Sequence, residues 1–120
     1  FMVNDSFAKM SAGESRFFRN AYKCSTVAAL SYARQEIEPA KQVAEAAFYA
    51  CRQEWRAFYA ESLKASRKRQ MDLDITDIEN STRRSVIEAF SDNIVDWRAK
   101  ATVGGDGVYE DLARRIAKEF

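Results

Sequence analysis

Histidine is absent from the chain, and that absence alone removes much of ordinary enzyme chemistry. Without an imidazole there is no Ser-His-Asp or Cys-His catalysis in its usual form. His-ligated zinc, facial-triad iron and haem attached through Cys-x-x-Cys-His go with it. Proline occurs once, at Pro39, and glycine four times, too few for a β-fold built on tight turns. No run approaches the eighteen apolar residues of a membrane-spanning helix, so none is expected. Neither sign of charge dominates: 19 basic residues against 18 acidic ones leave a net charge of +1. That balance argues against a surface built as a whole for nucleic acid or anionic lipid. The two cysteines are too few for a structural zinc site within one chain.

What remains is a sequence for helices. The 120 residues are 47% hydrophobic and 31% charged, the balance of a globular domain that buries a core without a metal. Residues 1–120 read as a single domain. Asn4, Asp5 and Ser6 offer a cap for a short turn carrying Phe7 and Met10. Ser11-Ala12-Gly13-Glu14 then fits a capping box, in which a hydroxyl and a carboxylate satisfy orphan amides at a helix start. Phe17, Ala21, Cys24 and Ala28 follow one helical face. Pro39 cannot lie inside a helix but suits the first position of the next.

Beyond it, Ala44, Phe48, Cys51, Trp55, Phe58, Ser62 and Ala65 alternate steps of four and three, the seam of a helix packed on a near-antiparallel neighbour. Val43, Ala47, Ala50 and Tyr59 widen that stripe. Thr76 and Glu79 offer a second capping box. Ile87, Phe90, Ile94, Trp97 and Ala101 form a third face, and Gly104-Gly105 supplies a stop. Tyr109, Leu112, Ala113, Ile116 and Phe120 mark a last amphipathic piece. The expected fold is all-α: an antiparallel bundle of about four helices, near 14–37, 39–69, 76–102 and 107–119, built on a disulfide-linked helical hairpin.

Cys24 and Cys51 are the most informative pair. In a hairpin of antiparallel helices, residues equidistant from the turn face each other, and the midpoint of 24 and 51 is 37.5, directly before Pro39. Both also lie on the apolar seams. Turn position and face thus independently bring the sulfurs together, and a disulfide needs Cα atoms roughly 4.4–6.8 Å apart. The other reading is two reduced thiols packed as small apolar residues. A redox pair lacks both a Cys-x-x-Cys and a partner His. A disulfide implies a periplasmic or secreted location, and reduced thiols a cytoplasmic one.

No catalytic residue, metal-ligand set or cofactor site emerges. Asp72-Leu73-Asp74-Ile75-Thr76-Asp77 resembles the opening of an EF-hand loop, but Asp77 stands where that loop needs Gly, and Arg83 where it needs a bidentate Glu. Carboxylates at a helix start are accounted for by its positive end. Gly104-Gly105-Asp106-Gly107 has no strand before it and no Gly-Lys-Ser/Thr after it, as a phosphate loop requires. Ser6 and Lys9 match the spacing of Ser-Lys acylases without the partner motifs.

Lys64, Arg67, Lys68 and Arg69 form the basic cluster and are the candidate anion contact, with Arg83 and Arg84 near in sequence. No aromatic platform for bases interleaves with them. Eight Phe, five Tyr and two Trp include the doublets Phe17-Phe18, Phe48-Tyr49 and Phe58-Tyr59. Neighbours on a helix point about 100° apart, so a doublet cannot place both rings on one narrow stripe. Phe18, Tyr22, Tyr49 and Tyr59 therefore either widen the core or form a partner surface.

These features favour a non-catalytic protein-binding module of the bacterial envelope or secreted space, of inhibitor, immunity or adaptor type, whose partner is another protein. Two other classes fit the same residues. One is a helical nucleic-acid-binding module using the 64–84 basic region. The other is a structural homo-oligomeric bundle, such as a homodimer packed through its aromatics.

Overall fold

Five helices and no strand make up the described residues of the computed structural model, which are 10–35, 37–71 and 73–119. The turn expected around Asn4, Asp5 and Ser6 lies outside them. Helix α1 spans Ala12–Gln35, α2 Ala40–Ala50, α3 Arg52–Lys68, α4 Ile75–Gly104 and α5 Gly107–Glu119. α2 and α3 return along α1, α4 packs on α1, α2 and α3, and α5 closes against α1 and α4. The body measures 50 × 27 × 23 Å. Its long axis matches α4, whose 30 residues rise about 1.5 Å each. This is the all-α antiparallel bundle that the periodicity predicts. No described helix is long and apolar enough to cross a membrane.

The first capping box forms as read. The Ser11 amide donates to Glu14 Oε1 and the Glu14 amide to Ser11 Oγ, each at 3.1 Å. α1 runs to Gln35, and Glu38, the residue before Pro39, lies outside it, as the bias of that position away from helical geometry requires. Its last carbonyls find a partner from far along the chain. Arg98 of α4 donates through Nε to the Ala33 carbonyl at 3.3 Å and through Nη1 to the Glu38 carbonyl at 2.6 Å. One guanidinium thus ties the end of α1 to the connection that follows it.

The sulfurs of Cys24 and Cys51 are joined, with Cα atoms 6.0 Å apart across a sequence separation of 27. The expected seam is buried along its length: Ala44, Cys51, Trp55, Phe58, Ser62 and Ala65 all lie inside, with Phe48 packed against them. Trp55 is its centre, wholly buried, stacked on Phe48 at 5.0 Å and edge-on to Phe18 and Phe58 at 5.6 and 5.9 Å. Such pairs contribute about 0.5–1.5 kcal/mol each beyond area burial. The indole Nε1 donates to Ser25 Oγ at 2.8 Å, which satisfies a donor that burial would otherwise penalise.

Two expectations are corrected here. The rod expected over 39–69 is two helices, broken at Cys51, whose φ of −107° and ψ of 27° are not helical. Its amide reaches Phe48 O at 3.2 Å in a tightened turn. Neither Pro nor Gly lies nearby, so the cause is tertiary. The tether to Cys24 holds residue 51 while α2 leans on α4 and α3 lies along α1. The second correction concerns α4, which begins at Ile75, one residue before the expected start, and is not capped by Thr76. Asp74 is its N-cap and accepts the Asp77 amide at 2.8 Å. Gly105, at φ 79°, ends α4 as read, its amide on Ala101 O.

Burial pushes the phenols of Tyr22 and Tyr59 up to about 12. At Tyr59, Glu79 adds to that rise and Arg83 opposes it.

Candidate functional site

The start of α1, the end of α3 and the start of α4 meet at one end of the bundle, because α3 runs back along α1 and the short connection after it turns the chain into α4. A groove of about 430 Å³ opens there, lined by Met10, Phe58, Met71, Leu73 and Ile78 among apolar residues, with Glu14, Ser62, Ser66, Arg69 and Asp77 among polar ones. Glu14 is its most unusual member, a carboxylate only 7% exposed. It survives burial because it is fully engaged. Beyond its bond with the Ser11 amide, Ser62 Oγ donates to its Oε2 at 3.1 Å, and the Arg69 guanidinium lies 3.6 Å from its Oε1.

The loop beside this groove has strained geometry. The Met71 amide donates to Ser66 O at 3.0 Å and the Gln70 amide to Arg67 O at 3.1 Å, the two bonds of a Schellman stop. Its left-handed position, normally glycine, is Gln70 at φ 58°. That conformation costs a residue with a Cβ roughly 1–2 kcal/mol. The same turn then exposes Met71, Leu73 and Ile75 to solvent by 48%, 42% and 42%. The left-handed backbone of Gln70 thus lies beside three exposed apolar side chains.

Ser62 donates to Glu14 and Ser66 to Met71 O at 3.3 Å, so both hydroxyls serve the scaffold. A larger groove of about 630 Å³ runs between α2 and α4. It is lined by Lys41, Arg83 and Arg84 and by Glu45, Glu88 and Asp92, equal numbers of each sign, and so selects no ligand charge. Cys24, Cys51 and Glu54 bring ligand atoms within 4.8 Å of one another. Sulfurs committed to a disulfide offer no thiolate to a metal.

The residues singled out from sequence fare differently. Cys24 and Cys51 are brought together. The proposed aromatic partner surface is not: Phe18, Tyr22 and Tyr59 are only 7%, 4% and 6% exposed, and they are core. α1 touches all four other helices, so its buried arc is wide enough to take both Phe18 and Tyr22. Of that set Tyr49 alone is exposed, with the Arg52 guanidinium 4.5 Å from its ring centroid. The basic cluster is divided. Arg69 turns in to Glu14 and Lys64 lies 3.5 Å from Glu61, while Arg67 and Lys68 stay on the exposed surface. Sequence reasoning assigned Glu14 only its capping role. Nothing in residues 11–14 signals that Ser62 and Arg69 will enclose it. Gln70 carried no signal either, because a glycine is the usual mark of that turn.

No family model, curated protein or solved structure matches the chain.

Proposed function

We propose that this protein is a non-catalytic protein-binding module of the bacterial envelope or secreted space, of inhibitor, immunity or adaptor type, docking through the end of the bundle where α1, α3 and α4 meet. The observation that carries the reading is the groove bordered by Met71, Leu73 and Ile75 on a strained turn. Apolar side chains that stay in water beside a concave apolar floor are what a partner's side chains complete. The Cys24–Cys51 disulfide supports the compartment, since such bonds persist where the surroundings are oxidising. The lack of histidine supports a non-catalytic role. Division of the basic cluster favours this reading over nucleic-acid binding, because Arg69 is paired with the buried Glu14 and the cations do not form one continuous phosphate-binding face.

The test is covalent capture. A photo-reactive benzoylphenylalanine replacing Leu73, in cells of the source organism, is expected to crosslink to protein upon irradiation. The same residue placed at Arg114, on the exposed face of α5, is expected to give no such adduct. Equal capture at both positions, or none at Leu73, refutes the docking surface. Thiol trapping in intact cells is expected to find both cysteines blocked. Free thiols there refute the compartment.

A further inference from the structure

We propose that this docking end is self-complementary and that its occupant is a second copy of the chain, paired about a two-fold axis through the α3–α4 loop. The inference rests on the docking reading above and names the partner. Its first support is shape. Met71 and Leu73 line the groove together with Met10, Phe58 and Ile78, yet they and the neighbouring Ile75 also stand exposed, so one patch offers both projecting apolar side chains and an apolar cleft. In a two-fold contact residue i meets j while j meets i, so a patch must carry both knob and hole to fill itself. This one does.

Charge repeats the pattern. Arg67 and Lys68 stand at the end of α3, on one side of the loop, and Asp74 and Asp77 stand at the start of α4, on the other. Among the described residues none of these four is in an ion pair. A two-fold axis through the loop sets the cations of one copy against the carboxylates of its partner, and complementary potentials of this kind guide register. The net charge of +1 leaves little long-range repulsion between copies. The face is small, however. A 27 × 23 Å cross-section gives on the order of 600 Å² per copy, below the roughly 800 Å² of a standard interface. Such an area belongs to weak, transient contacts, and the dissociation constant is expected between about 5 and about 500 μM.

Sedimentation equilibrium on the disulfide-bonded chain, from about 5 to about 500 μM so as to bracket such affinities, reads this directly. The mass is expected to climb from 13.7 kDa toward twice that value. Leu73→Asp and Lys68→Glu are each expected to weaken association at least about tenfold, a loss of about 1.4 kcal/mol. Both side chains are exposed, so thermal unfolding of the variants should be unchanged. A chain monomeric throughout that range, or a dimer indifferent to Leu73→Asp, overturns the inference. Crosslinking from position 73 separates this from failure of the docking reading. An adduct of two identical chains supports the second copy. An adduct only with a different protein overturns the second copy and keeps the docking surface. No adduct of either kind removes both.

Discussion

Reducing the Cys24–Cys51 disulfide alters two atoms of the folded protein and chiefly the freedom of the unfolded one. The bond closes a loop across a sequence separation of 27. In the chain-entropy treatment, losing a closure of that length returns about 12 cal/mol/K to the unfolded ensemble, or about 3.5 kcal/mol at 25 °C. The folded side changes little, because the two helices are held together independently by Trp55 on Ser25 and by the rings of Phe18, Phe48 and Phe58. Unfolding entropy near 2.1 cal/mol/K per residue amounts to about 250 cal/mol/K for a chain of this length, so the midpoint should fall by about 14 °C. Circular dichroism melts of oxidised and dithiol-reduced protein measure the shift. Thiol titration in denaturant should count no free thiol before reduction and two after it. A fall of less than about 3 °C, under 1 kcal/mol on the same scale, refutes the loop-entropy reasoning. Two free thiols in unreduced protein refute the staple itself.

Gln70→Gly is expected to stabilise the protein by about 0.5–1 kcal/mol, since release from the left-handed conformation exceeds the entropy that glycine adds to the unfolded chain. Urea titration should show a higher midpoint at unchanged slope, and a lower midpoint would mean that the turn carries no strain. Alkaline pH should act through Tyr22 and Tyr59. Their folded pKa values, near 12, lie above the ordinary value of 10.0. Stability is therefore intact below pH 10 and is lost as pH rises toward 12, by about 2 kcal/mol per phenol at the upper end. Stability measured by urea at stepped pH, with phenolate absorbance followed in parallel, should show late ionisation of Tyr22 and Tyr59, and of Tyr109, whose pKa burial also raises, as the fold is lost. Full ionisation of all five in a folded protein at pH 11 would contradict their burial.

Much of the fold was legible because helix signals are local. A capping box needs four consecutive residues, and Ser11 to Glu14 formed one as read. A seam repeats every few residues, and the stripe from Ala44 to Ala65 is buried as its spacing predicts. Even the Cys24–Cys51 pairing followed, since one proline at the midpoint turns a long-range question into a symmetric one. The candidate site was less legible. Arg69 of the basic cluster lines the groove, but nothing in the cluster's sequence signals a groove, and Phe18, Tyr22 and Tyr59, read as a partner surface or a wider core, are core.

Periodicity, caps and the lone proline thus determined by themselves that the chain is helical, where it turns and which two sulfurs meet. Tertiary structure alone decided that α2 and α3 are separate helices, that Arg98 ties down the end of α1, that Glu14 lies enclosed by Ser62 and Arg69, and that Met71, Leu73 and Ile75 face water beside a cleft. The division has one physical cause. Helical hydrogen bonds and faces are set within a few residues, whereas a helix's buried arc and the partner of a buried charge depend on neighbours dozens of residues away.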